Sequence, residues 1–107
     1  MTLSTKMIDV ATIRPEDLDK LREYKPDIPS DGRIPLSDLG NALDAAGYAA
    51  HHDEFYYGKG AALPHRSAEA TAKRVIAEVV ARECGGISTD ETARFIDDFT
   101  SKGGNFG

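Results

Sequence analysis

The fold of this chain is decided by residues 67–83, which read SAEATAKRVIAEVVARE. Apolar residues recur there at the i, i+3, i+4 spacing of one helix face; they are Ala72, Val75, Ile76, Val79 and Val80. Ser67 is a favourable N-cap residue, because its hydroxyl can accept a hydrogen bond from a free backbone N–H of the first turn. The stretch therefore predicts a helix over 67–83 that buries one apolar stripe.

A further helix is predicted on the C-terminal side. Gly85 and Gly86 break the first helix, and residues 88–91 read STDE, which is a capping box. Phe95, Ile96 and Phe99 follow on one face and predict a helix that ends near residue 102. The glycine-rich residues 103–107 are expected to form a mobile tail.

Two helices are predicted on the N-terminal side. Pro15 is tolerated at a first helical position, and Pro26 disfavours helix in the residue before it, so a helix is expected over about 15–25. Leu39, Ala42, Leu43 and Ala46 share one face of a second helix over about 36–46, which Gly47 is expected to end. Residues 48–66, with glycine, proline and several aromatic residues, are predicted to form a long connector.

The two halves of the chain share a pattern of helix, glycine turn, isolated isoleucine, polar cap and helix. Aligning Gly32 with Gly85 places Ile34 on Ile87, which indicates an internal helix-loop-helix repeat. The predicted fold class is therefore all-α, a four-helix lobe. It consists of an N-terminal extension over 1–14 and one domain over 15–102. That domain divides into a first unit over 15–47, the connector over 48–66 and a second unit over 67–102.

Residues 27–38, DIPSDGRIPLSD, resemble the twelve-residue loop of EF-hand proteins, especially the first hand of calmodulin and of myosin essential light chains. The resemblance rests on carboxylates at loop positions 1, 5 and 12, glycine at position 6 and isoleucine at position 8. It implies two paired hands, with Ile34 and Ile87 exchanging backbone hydrogen bonds between the loops. It assigns a weak or vestigial cation loop, for calcium or magnesium, to Asp27, Asp31, Arg33 and Asp38.

The loop also departs from the family pattern. Pro29 stands at position 3, where it offers no side-chain oxygen, and Asp38 has a shorter arm than the glutamate used at position 12. The second loop keeps its glycine and isoleucine but has Val80, Arg82 and Cys84 at ligand positions. We therefore expect no cofactor and a negligible calcium response. An ordinary glycine turn is the alternative interpretation of residues 27–38.

Composition and charge narrow the function. The 107 residues are 40% hydrophobic and 29% charged, as in one globular domain. The net charge is −5, and all of this excess lies in residues 1–54, so nucleic-acid binding is disfavoured. No apolar run approaches the roughly 20 residues of a membrane span. The single cysteine, Cys84, cannot form an internal disulfide, which fits a reducing cytoplasmic or cytoskeletal location.

The resemblance implies a non-enzymatic adaptor that holds a helical segment of a larger protein in an apolar groove. The candidate partner-binding residues are Leu39, Leu43, Val75, Ile76, Val79, Phe95, Ile96 and Phe99, although the same stripes can equally form the core. Because methionine occurs only at Met1 and Met7, one permanent partner is favoured over many transient ones.

Two other functions stay open from the sequence. The first is a small accessory subunit of a multiprotein complex, an enzyme complex included, without EF-hand geometry. The second is a small metal-dependent enzyme that uses His51, His52, Asp53 and His65. Adjacent histidines point in different directions on a helix or strand, so we expect these histidines to be dispensable.

Overall fold

The computed structural model describes the backbone of residues 3–104 and the side chains of this range except those of residues 4 and 101–104. Within that range the chain forms four α-helices and one two-stranded antiparallel sheet. The helices are α1 (Pro15–Arg22), α2 (Leu36–Tyr57), α3 (Lys59–Glu83) and α4 (Thr89–Gly104), and the strands are β1 (Met7–Asp9) and β2 (Arg33–Pro35). The predicted all-α class with four helices is confirmed.

The predicted connector over 48–66 is wrong, because almost all of it is helical. Helix α2 continues through Gly47 to Tyr57. Gly47 serves close packing rather than termination, since a Cβ at this position would lie 2.9 Å from Oε2 of Glu69 on α3. The glycine that ends α2 is Gly58, which has φ +92° and connects directly to α3. Helices α2 and α3 therefore form one long antiparallel hairpin.

The remaining helix ends differ from the predictions by smaller amounts. Helix α1 ends at Arg22, three residues before the predicted end. The capping box is confirmed, because the backbone N–H of Glu91 donates to Oγ of Ser88 over 3.1 Å. Helix α4 extends to Gly104, so residues 103 and 104 do not belong to a tail. The other residues of the predicted tail, 105–107, lie outside the described residues.

The N-terminal segment is part of the domain rather than an extension of it. Strand β1 pairs with β2, with Ile8 opposite Ile34. Both isoleucines are buried, as are Val10 and Ile13. The predicted pairing of Ile34 with Ile87 is therefore wrong. The backbone of residues 7–9 forms the hydrogen bonds with β2. Ile87 instead lies in a turn, where its N–H donates to the carbonyl of Cys84.

Helix α2 lies at the centre and packs against both α3 and α4. The core forms between these helices and the sheet, with Leu36, Leu39, Leu43, Ile76 and Val79 fully buried. Helix α4 approaches α2 most closely at Gly40, where a Cβ would lie only 2.4 Å from the ring of Phe99. None of the helices within residues 3–104 combines the length and hydropathy needed to cross a bilayer.

An ion pair attaches α1 to α3. Asp17, which is 6% exposed, accepts from Arg74 through both carboxylate oxygens, at 2.7 and 3.1 Å, and from Arg14 at 3.3 Å. The hydrogen bond with Arg74 is the main cause that lowers the pKa of Asp17, against the opposing effect of burial. Because the pKa of Asp17 is lower in the folded chain than in the unfolded chain, the ion pair stabilises the fold at pH values above the unfolded-state pKa. This stabilisation is lost as the pH falls through the folded-state pKa.

We therefore expect Asp17→Asn to lower the free energy of unfolding at neutral pH by about 1–2 kcal/mol. The value stays at the low end because the Arg74 side chain is 40% exposed and its charge is screened. The difference from the unmodified chain should shrink as pH falls below about 4, where the unfolded state binds a proton at Asp17, and should vanish below the lowered pKa of the folded state. Urea denaturation across a pH series measures this. A difference that is constant down to the most acidic pH would contradict the ion-pair explanation.

Candidate functional site

The glycine turn of residues 27–38 keeps one feature of the predicted cation loop. Gly32 has φ +91°, the left-handed conformation that a sharp bend requires. The first carboxylate of the loop, Asp27, forms an ion pair with Lys25, whose Nζ lies 2.7 and 2.8 Å from the two carboxylate oxygens. This hydrogen bond raises the pKa of Lys25 and lowers that of Asp27, and Asp38 adds a smaller raising effect on Lys25. The Lys25 ammonium thus competes with any cation for Asp27, the loop's first carboxylate, whose side chain is 71% exposed.

The other candidate ligands do not converge. Asp31 and Arg33 are exposed, and Asp38 lies in the first turn of α2. Across the part of the chain that the structure describes, no group of three or more His, Cys, Asp or Glu side chains is arranged to hold a metal ion.

We expect calcium to produce no binding isotherm in the range of sensor proteins, about 10⁻⁷ to 10⁻⁵ M, because Lys25 holds the first carboxylate of the loop. Isothermal titration calorimetry on the intact chain measures this directly. An isotherm in that range, lost on Asp31→Ala, would contradict the prediction.

Most residues predicted to bind a partner lie inside the core. Leu39, Leu43, Val75, Ile76 and Val79 are 0–2% exposed, and Phe95 is 8% exposed. Ile96 and Phe99 are partly buried and pack against the same core. These side chains are inaccessible because α2, α3 and α4 cover one another's apolar stripes. In this structure the set therefore belongs to the core, and of these residues Ile96 presents an edge to the surface groove described next.

An apolar groove lies between α3 and α4, at that edge. It has a volume of about 330 Å³ and is lined by Ala77, Val80, Ala81, Ile87, Thr89, Thr92, Ala93 and Ile96. Val80 is buried, Ile87 and Ile96 are partly buried, and the three alanines are exposed. The groove exists because α4 packs mainly on α2, so that it diverges from α3. Small side chains at the rims leave room for the backbone of an incoming segment.

A second apolar surface lies at the end of the α2–α3 hairpin. It consists of His52, Phe55, Tyr56 and Tyr57, which we call the aromatic tip. Phe55, Tyr56 and Tyr57 are 75%, 64% and 71% exposed. Ring centroids are 4.7 Å apart between His52 and Tyr56 and 4.9 Å apart between Phe55 and Tyr56, so the rings form one continuous cluster. The sequence placed these residues in a connector and did not identify a surface.

A hydrogen-bonded network supports the tip from behind. The Tyr24 hydroxyl lies 2.7 Å from Nδ1 of His65, and Nε2 of His65 lies 2.9 Å from Oδ2 of Asp53. Because a carboxylate only accepts, Nε2 of His65 donates to Asp53, and Nδ1 shares a hydrogen bond with the Tyr24 hydroxyl. The other Asp53 oxygen lies 3.1 Å from Nδ1 of His52. The network joins the end of α1 to both helices of the hairpin.

The electrostatics of this network fit a structural role. Burial raises the pKa of Tyr24, and the charges of Glu23 and Asp53 add to this effect. The phenol therefore remains protonated at neutral pH and is a poor nucleophile. The hydrogen bonds from His52 and then His65 lower the pKa of Asp53 and keep it ionised. Tyr24 is 41 positions from His65, so no local spacing in the sequence could reveal the network.

Cys84 is buried at the end of α3 and forms part of the core. Burial raises the pKa of its thiol, which disfavours the reactive thiolate at neutral pH. Cys84 therefore contributes packing rather than chemistry.

Comparisons with known proteins identify no relative. No protein-family model matches the chain, and searches of curated proteins and of solved structures found no match.

Proposed function

We propose that this protein is a non-enzymatic adaptor that holds an amphipathic helix of a larger partner protein without needing calcium. The observation that carries the proposal is the apolar groove of about 330 Å³ between α3 and α4. Partner helices commonly place one apolar face into a groove of this kind. The exposed alanines on both rims let the partner backbone approach closely, and Val80, Ile87 and Ile96 provide an apolar floor.

Charge indicates the chemistry of the partner. Helix α4 exposes Asp90, Glu91, Asp97 and Asp98 against one basic side chain, Arg94, among its described residues. The acidic excess is local to this α4 rim, since residues 55–107 as a whole are formally neutral. Opposite charge at the rim of an interface increases the association rate and selects the partner. A helix with a basic polar face is therefore the occupant that the groove favours.

Independence from calcium is part of the proposal. In the EF-hand resemblance, cation binding would set the angle between helices. Here the Lys25 ammonium, which precedes the loop, bonds to both oxygens of Asp27 and places a positive charge at the loop's first ligand position. None of the eight groove-lining residues is a methionine, so the surface is rigid and suits one fixed partner. A cytoplasmic or cytoskeletal location, where Cys84 stays reduced, accompanies this proposal.

The sheet favours a second candidate, an accessory subunit of a multiprotein complex without EF-hand geometry. In that case the groove is one contact among several and need not hold a helix. The pairing of Ile8 with Ile34 is the relevant observation, because paired hands would join the two loops instead.

The test uses two synthetic amphipathic helices with the same leucine pattern, one with lysine and one with glutamate on the polar face. Fluorescence anisotropy measures their binding to the intact chain in excess EDTA. We expect the lysine peptide to bind and the glutamate peptide to bind at least about tenfold more weakly. Ala93→Arg, which fills the groove and repels a basic helix, should abolish binding of the lysine peptide.

Ala11→Arg is the matched control, because it adds the same side chain at an exposed position outside the groove. It should leave peptide binding unchanged. Equal loss of binding in both variants would show a general charge effect and contradict the groove as the docking site. Equal affinity for the lysine and glutamate peptides would contradict the proposed chemistry of the partner.

A further inference from the structure

The aromatic tip exposes more apolar surface than any role in folding explains. Of residues 51–67, all within the described range, only Ala62 is buried. The tip therefore projects beyond the core that the rest of the hairpin helps to form. Leu63, near the start of α3, is also 65% exposed. Contiguous exposed apolar patches of this kind mark interaction sites in soluble domains.

We propose that the aromatic tip binds the aromatic tip of a second copy of this chain, forming a twofold symmetric dimer. In such an interface the same patch serves both subunits, so the exposed rings of one copy face those of the other. Aromatic rings pair favourably in offset or edge-to-face geometry, and the tip already contains such pairs internally. The proposal is independent of helix binding in the groove.

The local charge of the tip selects a second copy over a basic partner. Within residues 51–66, Asp53 and Glu54 balance Lys59 and Arg66, so this segment is formally neutral when histidine is neutral. The net charge of −5 therefore belongs to the rest of the chain. A basic partner is attracted to that acidic remainder, whereas the neutral tip gives it no electrostatic advantage. Two copies meet with least repulsion at their neutral ends.

The shape of the molecule strengthens this argument. Its principal extents are 41 × 28 × 17 Å, and the tip lies at the end of a long hairpin. When two copies meet at their tips, the negatively charged parts of the two chains, outside residues 51–66, are separated by more than the Debye length of about 8 Å at physiological salt. Repulsion between them is then largely screened.

The available area fits a modest dimer. A covered aromatic side chain buries about 150–250 Å², so three rings at 64–75% exposure offer roughly 400 Å² in each copy. Leu63 and the side chains around it bring the total for two copies toward the roughly 1,200 Å² at which standard interfaces begin. Interfaces at this lower limit are weak or transient, so a weak self-association is expected.

The hydrogen-bonded network lowers the cost of association. Asp53 is fixed by His52 and His65, and His65 is fixed by Tyr24. Since these contacts hold both helices of the hairpin, the surface is ordered before it meets its partner. Preorganisation of this kind preserves affinity that would otherwise be lost in ordering the interface.

Sedimentation equilibrium of the intact chain at neutral pH, from micromolar to millimolar concentration, tests the proposal. We expect the mass to rise from that of one chain to that of two. Replacing Phe55 and Tyr57 together by serine should raise the dissociation constant at least about tenfold. The far-ultraviolet circular dichroism and the melting temperature should be retained, because neither side chain is part of the core.

Met7→Ser is the matched control, because Met7 is 42% exposed and lies on β1, away from the tip. It should leave the dimer unchanged. Added salt should strengthen the dimer, since it screens repulsion between the acidic remainders and does not weaken apolar contact. A chain that stays monomeric at millimolar concentration would overturn the proposal. So would a dimer that salt dissociates, or one that Ala93→Arg disrupts and the tip variant does not.

Discussion

Replacing Ile34 by alanine should lower the free energy of unfolding by about 2–5 kcal/mol, the cost of truncating a buried isoleucine. Ile34 is 3% exposed, lies on β2 and pairs directly with Ile8, which is fully buried. Total stabilities of single domains are typically about 5–15 kcal/mol, so this loss is a large share. Urea denaturation monitored by circular dichroism measures the change.

A double-mutant cycle identifies the partner of Ile34. Because Ile8 and Ile34 are in direct register, Ile8→Ala and Ile34→Ala should couple by about 0.5–3 kcal/mol. Ile87 lies outside the sheet, so Ile34→Ala and Ile87→Ala should be closer to additive. Strong coupling of Ile34 with Ile87, together with additivity between Ile34 and Ile8, would contradict the pairing of β1 with β2 and support the paired-loop geometry of EF-hand proteins.

Gly40→Val should destabilise the chain by about 1–3 kcal/mol or more, because it overpacks the contact between α2 and α4. A Cβ at residue 40 would lie 2.4–2.6 Å from three ring atoms of Phe99, which no rotamer of residue 40 can avoid. The helices must separate or the Phe99 ring must move. Thermal and urea unfolding of the variant measure the cost.

Gly60→Ala is the control for this substitution. Gly60 also lies inside a helix, but a Cβ added there would meet no neighbouring side chain or packed element within 4 Å. Gly60 is the second residue of α3, where alanine gains less over glycine than in a helix interior, so this variant should keep or slightly raise the stability. Phe99→Leu should relieve part of the Gly40→Val penalty. A neutral Gly40→Val would show that α4 does not pack closely on α2.

The sequence predicted the elements whose signals are local and repeated. The stripe from Ala72 to Val80 predicted the C-terminal part of α3, and the cap at Ser88 predicted the start of α4. The length of α2 was missed because Gly47 was interpreted as a helix end, whereas its role is to let Glu69 approach. A glycine that allows packing and a glycine that ends a helix look the same in a sequence.

The sheet and the surfaces depended on long-range contacts that periodicity does not reveal. The sequence predicts that Ile34 exchanges backbone hydrogen bonds with another segment, but β1 has only three residues, too few to show alternation. Its partner was therefore assigned by repeat symmetry, to Ile87. The aromatic tip was placed in a connector because Gly58, Gly60 and Pro64 suggested irregular structure. Only Gly58 interrupts the helices, and Pro64 lies within α3.

The claim that the groove between α3 and α4 binds a basic helix without calcium is tested most directly by nuclear magnetic resonance. Backbone amide shifts of the labelled chain are followed as the lysine peptide is added, once in EDTA and once in saturating calcium. We predict that the shifts concentrate at Ala77, Ala81, Thr92 and Ala93 and that the affinity is the same in both conditions. Shifts that appear only with calcium, or that concentrate at residues 27–38 and leave the groove unperturbed, would contradict it.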